Sequence, residues 1–312
     1  MSNIPFFDEE RVRDLLSMTD LIPTMADALA ALSAGAAVQP VRTVVPVEDH
    51  RGFLGLMPAY NKALGAKIVT FYPHNKDVHT HNGLILLFKP ETGEPLCVMD
   101  GRLITEMRTA ATSAAATKLL AREDSHVLAI LGSGVQARSH LEAMRCVREI
   151  TEVRVWSPHN AGRFAAEHNV TAAASAEECV RGADIVCVVT GSETPVLKGD
   201  WLSPGMHVNA VGANRPTWRE LDDECLNRSK IYVESSDAAF KESGDIIATA
   251  QVSERETVVT GSPTTIHELG DVINGEAIGR ATSDEITLFK SLGQAVEDIA
   301  AADLVYRRAV AN

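Results

Sequence analysis

The chain has 312 residues and a formal net charge of −13, with 29 Lys and Arg against 42 Asp and Glu. Hydrophobic residues make up 45% and charged residues 23%, a composition typical of a soluble globular protein of roughly two domains. The acidic balance argues against a general nucleic-acid surface, and the lack of an apolar run of roughly 20 residues argues against a membrane span. The first residues turn acidic with no basic segment before them, so no signal peptide is expected.

Five cysteines are spread over the chain. Their number is odd and no Cys-x-x-Cys pair occurs, so their spacing suits neither a disulfide framework nor a zinc site. We interpret them as reduced, mostly buried thiols of a cytoplasmic protein, and we expect no bound metal.

The first third of the chain predicts a short helical segment followed by a sheet. The helical pattern covers residues 9–32. Strand-like runs, separated by turns, follow at residues 41–47, 53–57, 67–71, 83–88 and 96–99. Strands in direct succession favour a mostly antiparallel or mixed sheet.

From about residue 104 the pattern changes to an alternation of helices and strands. Residues 105–120 are rich in alanine and predict a helix. Strands are predicted at residues 126–131, 152–156, 170–174, 184–190, 207–211 and 230–233, with helices at 136–148, at 163–168 and after a capping box at 175–178. This alternation indicates βαβ units and a parallel sheet. Residues 284–309 form a long amphipathic segment, which we interpret as a closing helix that packs on the first domain.

A glycine loop follows the first of these parallel strands. Its sequence is Gly132-Ser-Gly134-Val135-Gln136-Ala137, a G-x-G-x-x-A pattern between a strand and a helix. The first glycine permits a tight turn, the second lets the backbone approach a pyrophosphate, and the alanine permits close packing of helix and strand. The same spacing also fits a plain strand-to-helix turn, but its position at the start of several βαβ units favours a dinucleotide site.

The end of the second parallel strand indicates which dinucleotide binds. An Asp or Glu there would bind the ribose 2′-hydroxyl of NAD, but residues 157–163 contain no carboxylate. Ser157, His159 and Arg163 are instead candidates to face a 2′-phosphate. The sequence therefore favours NADP(H), with NAD(H) possible. The alternative is that these residues only form a turn and begin a helix.

Basic residues in the first domain are candidates to bind an anion. Arg42 lies at a strand start, Lys67 lies within an apolar strand, and Arg108 is predicted to open the alanine-rich helix. An arginine at a helix N-terminus opposes the helix dipole, a cost that is more readily tolerated if the arginine grips an anion. Two arginines can clamp a carboxylate. Taken singly, each residue is better explained as a solvated charge or a structural ion pair.

With these residues in view, the sequence resembles the ornithine cyclodeaminase/mu-crystallin family, and within it the mu-crystallin branch. The resemblance extends almost from end to end and is carried by residues 39–46, 51–60, 98–101, 108–111, 131–137, 215–224, 241–245 and 289–293. It implies a homodimer of the α/β class. Residues 1–117 would form an α+β domain for substrate binding and dimerisation, on which 290–312 pack back. Residues 118–289 would form a Rossmann-type domain with a doubly wound parallel sheet.

The resemblance also implies roles for individual residues. Arg42 is expected to clamp the substrate carboxylate with the help of Arg108, Lys67 to line the substrate pocket, and Asn214 to contact the substrate. Lys67, His81 and Glu242 are the candidates for the catalytic proton, with no means of choosing among them. Residues implied in cofactor binding are Thr80, His81, Arg108, Thr109, Gly132, Gly134, Val135, Gln136, Ser157, His159, Arg163, Thr190, Val211 and Ser291.

Two departures from the cyclodeaminase branch argue against ornithine cyclisation. Asn214 stands where that branch has an aspartate, and residues 53–57 are apolar where it has a glutamate. In addition, Ser157 and His159 replace an Asn-Arg pair of the mu-crystallin branch, which weakens the expectation of NADP(H).

The activity expected first is NAD(P)H-dependent reduction of the C=N bond of cyclic or N-substituted imino acids, a ketimine reductase. Alternatives follow in order: an alanine-type amino-acid dehydrogenase or reductive aminase, an ornithine or lysine cyclodeaminase, and a non-catalytic protein that binds NADPH and a thyroid-hormone-like ligand. The expected partner is a small imino or keto acid that bears a carboxylate.

Overall fold

The computed structural model describes residues 4–253, 256–259, 262–263 and 266–311, with side chains described outside 249–265. The chain forms two compact units. The first comprises Met1–Arg108 and Gly293–Asn312, and the second comprises Thr109–Leu292. The sequence-based boundaries at residues 117 and 290 differ from these by nine and three residues.

The helices and strands are named in chain order. The strands are β1 (Phe6–Phe7), β2 (Thr43–Val47), β3 (Gly52–Asn61), β4 (Ala63–Phe71), β5 (His81–Phe88), β6 (Pro95–Asp100), β7 (Val127–Leu131), β8 (Glu152–Trp156), β9 (Thr171–Ala172), β10 (Ile185–Val188), β11 (His207–Ala210), β12 (Ser229–Val233), β13 (Ala250–Ser253), β14 (Glu256–Val259), β15 (Ser262–Pro263), β16 (Ile266–Glu268) and β17 (Ile286–Lys290). The helices are α1 (Glu9–Leu15), α2 (Met18–Ser33), α3 (Arg102–Leu120), α4 (Val135–Val147), α5 (Ala161–His168), α6 (Ala176–Val180), α7 (Asp223–Asn227), α8 (Ser236–Glu242), α9 (Gly244–Thr249), α10 (Leu269–Ile273) and α11 (Ala295–Ala311).

The first unit is built on a six-stranded sheet in the order β1-β6-β5-β4-β3-β2. All neighbours are antiparallel except β1 and β6, so the predicted mixed sheet is confirmed. Helix α11 packs on α2 and on β3, β4 and β5. Side chains alternate across a strand, and the face that these helices cover holds buried Met57, Ile85 and Met99.

The helical segment predicted at residues 9–32 is two helices. It breaks because Leu16 and Ser17 adopt extended backbone conformations. Among the described residues, no single helix is long and apolar enough to cross a membrane; α1 and α2 reach the required length and composition only together, and they are bent by 88°.

The second unit contains an eight-stranded parallel sheet in the order β16-β12-β17-β11-β10-β7-β8-β9. The strands all run in the same direction, but the side on which successive strands are added switches at β7: β8 and β9 lie on one side of it, and β10 and β11 lie on the other. This is the strand order of a Rossmann fold. The predicted α/β class with a doubly wound parallel sheet is therefore confirmed. Core side chains such as Leu131, Val186, Val208 and Leu288 cluster around these strands.

The prediction for the end of the chain is wrong in part. Residues 284–309 are not one amphipathic segment, because Ile286–Lys290 forms β17 between β11 and β12 in the middle of the sheet. All five residues of β17 are buried, and a short run buried on both faces has no period that separates a strand from a helix. The helix begins only at Ala295. The sequence pattern also does not indicate the antiparallel sheet of β13, β14 and β15.

Candidate functional site

A buried cluster of charged side chains lies on the helix-covered face of the first unit. Lys67 of β4 is only 2% exposed, and its Nζ lies 2.5 Å from Asp298 Oδ2. Arg108 of α3 pairs through Nε with Asp298 Oδ1 at 2.9 Å and through Nη1 with Glu297 Oε2 at 2.6 Å. Glu297 and Asp298 lie in the first turn of α11 and are fully buried. The cluster holds both cations in fixed positions.

The predicted place of Arg108 at a helix N-terminus is wrong. Helix α3 begins at Arg102, where Asp100 Oδ1 accepts a hydrogen bond from the Arg102 backbone N–H at 2.9 Å. Arg108 therefore lies inside the helix, where the dipole argument does not apply. Its two buried carboxylate partners explain its burial instead, because a buried charge needs paired and hydrogen-bonded neighbours.

Burial lowers the pKa of Lys67 to about 8, although Asp298 acts in the opposite direction and Arg108 adds to the lowering. An ammonium whose pKa is close to neutrality loses its proton more readily than an exposed lysine does. This property suits Lys67 for proton transfer at a reacting group.

A third cation, Arg42, is bonded to the backbone of Gly293, next to this cluster. Arg42 Nη2 donates to the Gly293 backbone O at 2.9 Å, and Arg42 is partly exposed. The backbone of Gly293 has φ +76, and a Cβ there would lie 2.5 Å from the Arg108 guanidinium nitrogens. Only glycine meets both conditions. Three cations and two carboxylates leave a formal charge of +1, which suits one substrate carboxylate.

His81 opens β5 on the same face of the sheet as Lys67. The register pairs His81 with Phe71 and Lys67 with Ile85, and Lys67 and Phe71 lie four positions apart on β4, so they share a face. The ring of His81 packs against that of Phe71 at an interplanar angle of 38°, with the centroids 4.3 Å apart. Thr80 Oγ1 lies 3.4 Å from His81 Nδ1. The His81 side chain is exposed and carries a hydrogen-bonding edge.

In the second unit, the glycine loop fits a pyrophosphate. Gly132 has φ +119, and a Cβ there would lie 2.6 Å from Val189 O. Gly134 is the N-cap of α4 without a side-chain cap, and a Cβ on it would meet nothing within 4 Å. The first N–H groups of α4, which include that of exposed Val135, are thus open to an anion. Gln136 Oε1 is buried without a hydrogen-bond partner among the described residues.

Ser157 lies directly after β8, next to the glycine loop. Its Oγ is 2.8 Å from Ser133 Oγ and accepts from the Asn160 N–H at 3.2 Å. His159 is exposed nearby in sequence. Arg163 is 79% exposed, and its guanidinium forms an ion pair with Glu167 at 2.7 Å on the surface of α5.

The other candidates in the second unit follow strand ends or lie in helices. Thr190 follows β10, and Val211 follows β11, with its N–H donating to Val188 O at 2.9 Å. Asn214 is exposed in the loop after β11.

The remaining candidates are Ser291, Thr109 and Glu242. Ser291 Oγ donates to Glu234 Oε1 at 2.7 Å. The two remaining positions are the buried Thr109 of α3 and the half-buried Glu242 at the end of α8.

Several buried charged groups are missed by sequence reasoning. Glu297 and Asp298, which hold Lys67 and Arg108, lie in a run that otherwise reads as apolar, Ala295-Val296 and Ile299-Ala-Ala301. Two charges inside such a run are the signal that identifies them, because buried charges require partners. Glu220 and Lys290 of the second unit are also fully buried.

The described part of the chain holds five free cysteines and no cluster of possible metal ligands. The five cysteines are free thiols, and all but Cys146 are buried. Burial raises the pKa of the Cys97, Cys179 and Cys187 thiols to about 12, which makes them poor nucleophiles. No group of three or more His, Cys, Asp or Glu that could hold a metal occurs among the described residues.

Similar proteins support the architecture seen here. The ketimine reductase mu-crystallin of Mus musculus is 48% identical over 314 residues, covering 96% of both chains. The Delta(1)-pyrroline-2-carboxylate reductase of Thermococcus litoralis, solved with NADH and L-proline, has a TM-score of 0.92 and 38% identity, covering 99% of this chain and 98% of that one. An archaeal alanine dehydrogenase dimer with bound NAD has a TM-score of 0.90 and 34% identity, covering 99% and 96%. The model of the ornithine cyclodeaminase/mu-crystallin family matches residues 6–312, and the chain belongs to this family.

Proposed function

We propose that the chain reduces the C=N bond of cyclic or N-substituted imino acids with a reduced nicotinamide dinucleotide. The observation that carries this proposal is the cluster of Arg42, Lys67 and Arg108, which combines a carboxylate-binding charge with a lysine of low pKa. Relatives named ketimine reductase and Delta(1)-pyrroline-2-carboxylate reductase act on such compounds. The chain is then an oxidoreductase acting on C=N bonds.

Gly132, Gly134 and the first turn of α4 would hold the pyrophosphate, with Gln136 beside them. When bound, the reduced nicotinamide supplies the hydride. The residues of the first unit orient the substrate: Arg42 and Arg108 bind its carboxylate, so that the imine carbon has one position and one face available. Fixing a reactant in this way accounts for a large part of the rate enhancement.

We assign Lys67 as the donor of the proton that the imine nitrogen needs. An imine accepts hydride at carbon readily only when its nitrogen carries a proton. Lys67 is anchored beside Arg108 by Asp298, and with a pKa of about 8 it is charged at neutral pH yet able to release its proton. His81 shares the face of the sheet with Lys67 but is exposed, and Glu242 lies in the second unit.

Alanine-type amino-acid dehydrogenation is the second candidate, favoured by the similarity to the archaeal alanine dehydrogenase. It uses the same carboxylate clamp. The discriminating experiment compares NADPH and NADH oxidation with Δ1-pyrroline-2-carboxylate, with Δ1-piperideine-2-carboxylate, and with pyruvate plus ammonia. Turnover of the cyclic imines at higher kcat/KM supports imine reduction, and turnover only with pyruvate plus ammonia assigns the second activity.

NADPH is the preferred cofactor in this proposal. The position after β8 is Ser157, and an aspartate there would repel a 2′-phosphate and accept from a 2′-hydroxyl. We therefore expect Ser157→Asp to reverse the preference, with kcat/KM for NADPH falling about tenfold or more and that for NADH rising. Ser157→Ala serves as the control for lost hydrogen bonds. A wild-type enzyme that prefers NADH, or an unchanged preference in Ser157→Asp, contradicts this assignment.

We also propose a homodimer formed through the first unit. The outer face of its sheet is apolar, with Leu56, Tyr60 and Leu84 exposed by 39–46%, and within the described part of the first unit α11 packs on the opposite face. An antiparallel sheet with one solvated face would instead carry polar residues there. Packing against the same face of a second chain would bury these apolar side chains. Sedimentation equilibrium is expected to give twice the mass of one chain, and a single-chain mass at micromolar concentration contradicts the proposal.

The cytoplasm is the compartment that we propose. Its reducing conditions suit five free cysteines, of which four are buried.

A further inference from the structure

A second buried charge cluster lies in the second unit, separate from that of Lys67. Glu220, Asp245 and Lys290 are all fully buried. Lys290 Nζ lies 3.3 Å from Asp245 Oδ2 and also donates to the Gly212 backbone O. Asp245 Oδ1 accepts from the backbone N–H groups of Glu220 and Leu221 at 2.9 and 3.0 Å. Asp245 therefore fixes the backbone at Glu220 and Leu221. Lys290 connects Asp245 to the backbone of Gly212.

The Glu220 carboxylate binds the loop that follows β10. Its Oε1 accepts from the backbone N–H of Thr190 at 2.7 Å and from Thr190 Oγ1 at 2.5 Å. Thr190 Oγ1 in turn accepts from the Ser192 N–H at 3.1 Å. A carboxylate that takes both donors of one residue fixes its backbone and its rotamer at the same time.

The loop after β11 touches the same carboxyl group. A Cβ on Gly212 would lie 2.4 Å from Glu220 Oε2 and 2.5 Å from Thr190 O, so glycine is required for this close approach. Glu220 Oε2 is buried without a hydrogen-bond partner among the described residues. One side chain thus meets the carboxyl-end loops of two neighbouring strands.

The loops after β10 and β11 lie at the end of the dinucleotide crevice where a Rossmann fold takes the nicotinamide. In a Rossmann sheet the adenosine ribose lies at the end of the strand next to the glycine-loop strand, which is β8 in the order β9-β8-β7-β10-β11. A dinucleotide whose pyrophosphate lies at the end of β7 therefore extends its nicotinamide half over the ends of β10 and β11. Thr190 and Gly212 follow those two strands.

We propose that Glu220 is a positioning residue for the nicotinamide half of the cofactor, acting through Thr190 and Gly212. The inference rests on the proposed function, since it assumes that a nicotinamide dinucleotide binds. Glu220 itself touches no reacting atom. It fixes the two loops that form the nicotinamide end of the crevice and leaves the adenosine end at β8 unaffected.

The charge state of Glu220 fits such a role. Burial raises its pKa to about 7, against the attraction of Lys290, while Asp245 adds to the raise. The group is thus partly neutral at physiological pH, and both bonds from Thr190 reach the same oxygen, Oε1. Glutamine has the shape of the neutral acid and keeps one carbonyl oxygen that can accept both bonds.

The test compares two ligands that differ only in the nicotinamide. Dissociation constants of NADPH and of 2′-phospho-ADP-ribose are measured by calorimetry for the wild type, Glu220→Ala, Glu220→Asp and Glu220→Gln. In Glu220→Ala, Kd for NADPH is expected to rise about tenfold or more, because the two hydrogen bonds from Thr190 to the carboxyl group are lost. Kd for 2′-phospho-ADP-ribose is expected to stay within about twofold, and Glu220→Gln to retain both constants within about threefold.

Other results would overturn the inference. An equal loss of both ligands in Glu220→Ala indicates a general structural role, and no loss of either indicates no role. Loss in Glu220→Gln equal to that in Glu220→Ala excludes the bonds to Thr190 as the cause. Should the alanine variant fail to fold, Glu220→Asp, whose shorter side chain cannot reach both donors of Thr190, is expected to show the same selective loss. A wild type that binds no nicotinamide dinucleotide refutes the proposed function itself, which is a separate outcome.

Discussion

Replacing Arg42 by alanine is expected to lower kcat/KM for Δ1-pyrroline-2-carboxylate about 100-fold, the effect of losing two hydrogen bonds to a charged group. The loss should appear mainly in KM for the imino acid, because Arg42 binds a carboxylate present in both the ground state and the transition state. Kd for NADPH is expected to change by less than about twofold, since Arg42 belongs to the first unit and the glycine loop to the second.

Arg42→Lys is the matched variant. It keeps the charge and loses the planar fork that binds a carboxylate through two parallel bonds. We expect its loss of kcat/KM to fall between those of the wild type and Arg42→Ala, about tenfold. Equal rises in KM for the imino acid and in Kd for NADPH in Arg42→Ala would remove Arg42 from the carboxylate clamp.

Replacing Lys67 by methionine is expected to lower kcat by about 100-fold or more, the usual contribution of a positioned proton donor. Methionine keeps most of the buried volume, and Asp298 keeps its bond to Arg108 at 2.9 Å. One carboxylate oxygen of Asp298 nevertheless loses its cation, so the free energy of unfolding should also fall, by up to about 3–5 kcal/mol. Thermal unfolding of the apo protein measures this loss separately from the loss of kcat.

The pH dependence of kcat tests the role of Lys67 independently. The required form is the ammonium, which predominates below its pKa of about 8. The rate should therefore fall as the pH rises through about 8. In Lys67→Met this decline should be absent from the residual rate, because methionine carries no titratable proton.

The exposed Lys62, in the turn between β3 and β4, provides the control. Lys62→Met removes one charge from the same unit and should leave both kcat and its pH profile unchanged. A kcat of Lys67→Met within about threefold of the wild type, in folded protein, would contradict the assignment of Lys67 as the proton donor.

The layout of the strands and helices follows closely from sequence patterns. Alternation of strands and helices from residue 126 onward predicts the parallel sheet, and the capping box at Ser175 corresponds to a real cap, in which its Oγ accepts from the Glu178 N–H at 3.0 Å. Strand β17 is missed because a strand buried on both faces has no period of two. The order of the strands in the sheet cannot be predicted from the hydrophobic pattern either, since β17 comes late in the chain but lies in the middle of the sheet.

The candidate site is only half visible in the sequence. Arg42, Lys67 and Arg108 stand out because charges in apolar or strand contexts require an explanation. Their partners Glu297 and Asp298 are separated from Arg108 by 190 residues or nearly so, and pairing over such distances depends on the folded chain. The same holds for Glu220, whose contact with Thr190 joins the loops after two different strands. Local patterns identify the three cations of the first unit, and only the three-dimensional fold shows which carboxylates hold them.

The measurement that tests carboxylate-directed imine reduction most directly compares two substrates. NADPH oxidation is followed with Δ1-pyrroline-2-carboxylate and with 1-pyrroline, which has the same ring and C=N bond but no carboxylate. We expect the first to be reduced to proline, with kcat/KM about 100-fold above that of the second. Equal rates with both compounds, or no oxidation by folded protein that binds NADPH, would contradict the assigned reaction.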